Sequence, residues 1–266
     1  MPRIIIDAGH GGNDVGDLYE RRKEKDDNLR LALAVGEFLK RKYLYNVRYT
    51  RTRDTYLSQM DRAELVNELG GDLLLSLHRI VGDIPVTPPS LCLYIRDECE
   101  LSESVARHLG NALKEVGFSH AMLNIRTDLT LFKKTNLPIV MMEVGALNSE
   151  RSNELFDSNF GFMVEKIAEG IVFAFSKSHE HSVLLLNPAT GHPQLPIYRI
   201  RVGVHSRYQN AIVQQKSLMI KGYPAEINRL KESYAVEVGV SPELDHAVAL
   251  MGLLQREGYP TLLIKR

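Results

Sequence analysis

No sign of charge dominates this sequence: lysine plus arginine number 33, and so do aspartate plus glutamate. A balanced chain has no bulk electrostatic pull on nucleic acid or an anionic membrane. Any polymer it holds is therefore gripped by hydrogen bonds rather than by counterion release. Cysteine is nearly absent. Cys92 and Cys99 are the two in 266 residues, which excludes a disulfide scaffold or a cysteine-type zinc knuckle and leaves free thiols. Apolar runs stay well short of the ~18 residues that a membrane span needs. Met1-Pro2-Arg3-Ile4 carries no leader pattern, so synthesis in the cytoplasm is expected. What is present, 44% hydrophobic and 25% charged residues, is the composition of a globular protein with room for one large domain or two modest ones.

Ile4-Ile5-Ile6 reads as a short strand buried on both faces, the pattern of a parallel-sheet interior. Asp7, Ala8 and Gly9 break it, and His10 follows between glycines, where open α/β sheets collect ligands. Leu31, Val35, Phe38 and Leu39 mark one apolar helix face. A strand at 46–50, a helix through Ala63, Val66 and Leu69, and a buried strand at 73–77 come next, the last delivering His78. Three prolines make 83–89 a loop. A strand at 91–95 and a helix at 103–117 follow, and 122–136 reads ambiguously. The strand at 139–142 delivers Glu143, and Met163, Ile167, Ile171 and Ala174 form the face of a closing helix. Strands alternating with helices predict an α/β fold with a mostly parallel twisted sheet flanked by helices.

Polar and breaker residues mark 177–196 as a linker, and His179 and His181 read as part of it. Beyond lies a repeat of 36 residues: Tyr198-Arg-Ile-Arg-Val-Gly-Val aligns with Tyr234-Ala-Val-Glu-Val-Gly-Val, and Gly222-Tyr223-Pro224 with Gly258-Tyr259-Pro260. Each copy reads strand, helix, strand. Two copies predict a small α+β domain, one sheet with both helices on one face and an open face opposite. Strand alternation puts Arg199 and Arg201 opposite Ile200 and Val202, which makes them candidates for ligand contact. The expected organisation is a domain at 1–176, the linker at 177–196 and the repeat domain at 197–266.

His10, His78 and Glu143 each follow an apolar strand. Glu20 and Glu24 compete for a place beside them, and the reading takes Glu24, at the helix start, although spacing alone does not decide it. Two imidazoles and a carboxylate with an open fourth position are the ligand set of hydrolytic zinc sites. A further carboxylate then moves protons. Arg51 suits either a substrate carboxylate or an ion pair with Asp54 or Asp61.

Ile6-Asp7-Ala8-Gly9-His10-Gly11-Gly12, Glu24-Lys25 with Asn28-Leu29, Thr50-Arg51 with Asp54 and Arg62, Ser76-Leu77-His78, and Pro138 through Glu143-Val144-Gly145 together resemble the zinc-dependent N-acetylmuramoyl-L-alanine amidases of bacterial cell walls. The resemblance covers residues 3 to about 175. It implies Zn2+ held by His10, Glu24 and His78, with Glu143 as the catalytic carboxylate and peptidoglycan as substrate. The repeat resembles the sporulation-related (SPOR) wall-binding modules found behind amidases of mother-cell lysis, which also lack an ordinary signal peptide. Action on the wall after sporulation-related or phage lysis, as a monomer, is the expectation. Departures from the family pattern, Arg79-Ile80 after His78 and Ala146 after Gly145, fall along the substrate groove, where Arg79 becomes a candidate contact. The rival readings are a zinc peptidase cutting within the stem peptide and a catalytically silent wall-binding or regulatory protein.

Overall fold

The computed structural model describes residues 2–82, 89–97, 99–185, 198–221, 223, 225–241 and 244–265. Most of the loop expected at 83–89, part of the linker, and Gly222 and Pro224 of the repeat lie outside them. The described chain forms two units, one from Pro2–Arg41 and Tyr45–Ala174, the other chiefly from Phe175–Arg266.

In the first unit, chain order runs β1 (Arg3–Ala8), a two-residue hairpin β2 (Leu18–Tyr19) and β3 (Arg22–Lys23), α1 (Glu24–Tyr43), β4 (Asn46–Tyr49), α2 (Gln59–Leu69) and β5 (Leu73–Ile80). There follow β6 (Ser90–Ile95), α3 (Glu100–Val116), β7 (His120–Ile125), α4 (Thr130–Lys134), β8 (Ile139–Ala146), α5 (Glu150–Ser158) and α6 (Phe160–Leu185). The sheet order is β4-β1-β5-β8-β6-β7. Only the β6–β8 pairing is antiparallel, so the mostly parallel sheet is as expected. Ile4 to Ile6 and Leu73 to Leu75 are fully buried, because helices cover both faces of these central strands.

This order places the site. β1, β5 and β8 are neighbours running in one direction, so His10, His78 and Glu143 emerge side by side at one edge. The ambiguous stretch resolves into β7 and α4, and the hairpin β2–β3 was not legible in advance. The closing helix also runs further than expected. α6 continues to Leu185, because 177–187 contain no glycine or proline to stop it before Pro188.

The second unit is β9 (Tyr198–His205), α7 (Tyr208–Ile220), β10 (Ala225–Arg229), β11 (Tyr234–Ser241), α8 (Leu244–Arg256) and β12 (Leu262–Lys265). Its antiparallel sheet has the order β10-β11-β9-β12, with the first strands of the two copies paired at the centre. Ala211 and Leu218 of α7 share one core with Ala247 and Leu254 of α8 and with Ile200, Val202, Val236 and Val238. Both helices therefore cover one face. The opposite face is less open than its alternation suggests. Glu237 at its middle is fully buried, bonded to Arg201 at 2.8 Å and to Asn228 at 2.9 Å. Arg199 is paired with Glu226 at 2.8 Å, and exposed apolar surface sits towards the ends at Val204 and Leu262.

Candidate active site

Gly9 leaves β1 with its amide donating to the Leu77 carbonyl at 3.0 Å, which sets the His10 loop against the end of β5. A Cβ on Gly9 would lie 2.2 Å from His78 Cε1, so only glycine lets the imidazole lie against this backbone. His10 itself sits at φ 60°, a left-handed conformation that costs a non-glycine residue free energy. Arg62 compensates by donating to the His10 carbonyl at 2.6 Å.

The side chains then converge. His10 Nε2 lies 3.0 Å from Glu24 Oε2 and His78 Nδ1 2.9 Å from Glu24 Oε1. The two rings meet edge-on with centroids 5.1 Å apart. One donor atom from each of the three residues falls within 4.8 Å of the others, and this is the metal-competent group among the described residues. Ligands ~2.0–2.1 Å from a tetrahedral ion lie about 3.3 Å from one another, so the donor set fits a small divalent cation. The outer contacts fit as well. Asp14 bonds His10 Nδ1 at 2.9 Å, turning Nε2 inward as metal-bound histidines require. Glu24 accepts from the Asp17 amide at 2.9 Å, Asn28 Nδ2 at 3.0 Å and the Arg79 amide at 3.1 Å. Burial pushes the Glu24 carboxyl up, but His10 and His78 outweigh it and hold the group far below the usual carboxylate range. It is an anion at any working pH.

Glu143 is in register with His78 on one side and Cys92 on the other. Tyr94 donates its hydroxyl to Glu143 Oε2 at 3.0 Å. Burial pushes the Glu143 carboxyl above its ordinary value, and the Tyr94 bond and His78 moderate the rise. A carboxylate with raised proton affinity beside a metal-competent cage suits general acid–base work.

Two expected substrate contacts are corrected. Arg51 is 4% exposed and donates to the carbonyls of Ala8, Gly9 and Lys25, each at 2.9 Å. It clamps the exit of β1, with neither Asp54 nor Asp61 as its partner: Asp54 pairs with Lys25 at 2.6 Å, and Asp61 caps α2 through Ser58. Arg79 is 3% exposed, bonded to Asp27 at 2.6 Å and the Val144 carbonyl at 3.0 Å and laid 4.5 Å from the centre of the Phe156 ring. Strand alternation turns it away from His78, into the layer beneath the sheet. Asp14 and Tyr94, which sequence reasoning did not single out, take places beside His10 and Glu143. Asp14 lies four residues after His10, just past the glycine-rich stretch, whereas nothing local pointed to Tyr94.

The sequence matches the family described as N-acetylmuramoyl-L-alanine amidase (Amidase_3) over residues 4–173; the repeat unit lies beyond the match. A sporulation-specific N-acetylmuramoyl-L-alanine amidase of Bacillus subtilis (strain 168) is 39% identical over 79 residues, 29% of this chain and 31% of the relative. An endolysin of Bacillus phage SPP1 is 28% identical over 183 residues, 64% of this chain and 65% of the relative. The matches thus span less than two thirds of either relative. Among solved structures, an N-acetylmuramoyl-L-alanine amidase from Clostridium difficile 630 aligns with a TM-score of 0.59 at 26% identity, over 65% of this chain and 96% of that one.

Proposed function

The chain belongs to the N-acetylmuramoyl-L-alanine amidase family, and from that membership we propose that it is a peptidoglycan hydrolase using Zn2+ held by His10, Glu24 and His78. The bond cut is the amide between the lactyl group of N-acetylmuramic acid and the L-alanine of the stem peptide. The observation that carries this reading is the convergence of the three donor atoms within 4.8 Å, one strand away from the half-buried Glu143 carboxylate. When bound, zinc acidifies a water and polarises a scissile carbonyl. Glu143 accepts the proton of the attacking water and returns it to the departing alanine nitrogen. Tyr94 fixes which Glu143 oxygen faces the substrate, and Asp14 and Asn28 hold His10 and Glu24 in their facing orientations.

Residues 1–176 form the catalytic domain in this reading, and the repeat domain at 197–266 tethers the enzyme to the insoluble wall, raising the local concentration of cleavable bonds. The outer surface around Arg199 and Arg201 is the proposed glycan-facing side. No helix among the described residues is long and apolar enough to cross a membrane.

Digestion of purified peptidoglycan tests the chemistry. The expected products are peptides with a new N-terminal alanine and glycan bearing free lactyl carboxyls, read by mass spectrometry. New termini within the stem peptide would instead identify a peptidase, and bound zinc with no release would identify a silent wall binder. Glu24→Ala is expected to weaken zinc binding by more than the roughly 100-fold that loss of a supporting contact reaches and to reduce release to background. Elemental analysis after dialysis, with circular dichroism as the fold control, checks it.

A further inference from the structure

Beyond the cage and Glu143, Arg126 stands on the same face of the sheet as Glu143, two strands away and level with the start of β8. Arg126 follows β7, and its amide donates to the Ile95 carbonyl at the end of β6 at 2.9 Å. Its guanidinium carbon lies 5.6 Å from the centre of the Tyr94 ring, and the Tyr94 hydroxyl in turn reaches Glu143. Arg126 and Glu143 are therefore linked through the Tyr94 side chain, which the guanidinium meets at the ring and the carboxylate at the hydroxyl. Asp128 bonds the guanidinium along one edge, to Nε at 3.0 Å and Nη2 at 2.8 Å. Nη1 has no hydrogen-bond partner among the described residues, and the side chain is 38% exposed. Arg126 is thus oriented on one edge and available on the other.

We propose that Arg126 is a carboxylate-recognition residue for the stem peptide, binding the free acid group of the residue that follows L-alanine. The inference rests on the amidase reading and adds a preference to it, for acidic over amidated stems. Two extended residues span roughly 7 Å, so a stem peptide that leaves Glu143 along the Tyr94 ring brings its next acid group towards Arg126. A guanidinium is suited to that role, because its planar donors match a carboxylate in direction as well as charge. The existing pair with Asp128 does not prevent it. An exposed ion pair contributes little, and Asp128 serves mainly to hold the fork in place over the ring.

The contrast between two purified peptidoglycans tests this, one with the second stem residue as free acid and one with it amidated. The intact enzyme is expected to favour the acid form in kcat/KM. In Arg126→Gln the acid-to-amide ratio falls about tenfold or more, the scale of a charged hydrogen bond, chiefly through a higher KM on the acid form. Arg126→Lys restores part of the ratio. A ratio that does not change in Arg126→Gln, or an equal loss on both walls, overturns the carboxylate role while leaving the amidase reading standing. If the intact enzyme cleaves neither wall, the amidase reading fails first and this inference with it. Because Arg126 is a surface side chain, the substitution does not put folding at risk.

Discussion

Glu143→Gln is expected to lower the rate of alanine-terminated peptide release by a factor on the order of 10²–10⁴ while stoichiometric zinc is retained. Glutamine keeps the shape of the side chain and can still accept the Tyr94 hydroxyl bond, but it cannot take a proton from water. The expected loss corresponds to roughly 3–5.5 kcal/mol of transition-state stabilisation. Glu143 stands outside the group of three donors, which is why metal content and rate should separate. A variant within tenfold of the wild-type rate would remove Glu143 from the proton transfers, and one that loses its zinc would make it a ligand. Elemental analysis and product release on one preparation give both readings.

Arg62→Leu carries the largest expected cost in stability. Asp7 and Arg62 are 1% and 3% exposed and 2.7 Å apart. Removing the cation leaves a carboxylate inside the protein with only Thr50 at 2.6 Å and Ser76 at 2.8 Å. Breaking a buried pair from one side costs about 3–5 kcal/mol, and the Ala8 and His10 carbonyls lose a donor as well. Urea unfolding of Arg62→Leu beside the double variant Asp7→Asn/Arg62→Leu checks the cause. The double variant should be the more stable of the two, since no charge is left unpaired.

The pH dependence of that cost has a definite sign. In the wild type, burial pushes the Asp7 carboxyl up, but Arg62, Thr50, His78 and Ser76 outweigh it and hold the group below its ordinary value. The wild type therefore gains stability from Asp7 above the unfolded value of about 3.9 and loses it as pH falls through the lower folded value. Without Arg62, burial dominates and the folded carboxyl binds its proton more tightly than the unfolded chain does. Its penalty is then present at neutral pH and disappears below about pH 4. The stability gap between wild type and Arg62→Leu should narrow on acidification, and a gap that widens would contradict the pairing.

Much of the fold was legible because it is written between near neighbours. The isoleucine run of β1, the leucine run of β5 and the apolar face of α1 each announce an element within a few residues, and the 36-residue repeat announces its sheet by self-similarity. The candidate site residues were also named from sequence, because His10, His78 and Glu143 each follow an apolar run and Glu24 opens a helix. Arg51 and Arg79 were misplaced for the converse reason. Their charge was visible, but the carbonyls and the aspartate that consume it were not.

The sequence by itself determined the alternation of strands and helices, the two histidines of the metal-competent group and the duplication of the second unit. Tertiary structure alone decided that Asp7 meets Arg62 across 55 residues, that Tyr94 reaches Glu143 across 49, and that a face which alternates outward in β11 is closed over Glu237. Periodicity encodes which way a side chain points from its own backbone. What it then touches depends on strand order and register, and those are set by the packing of the whole sheet.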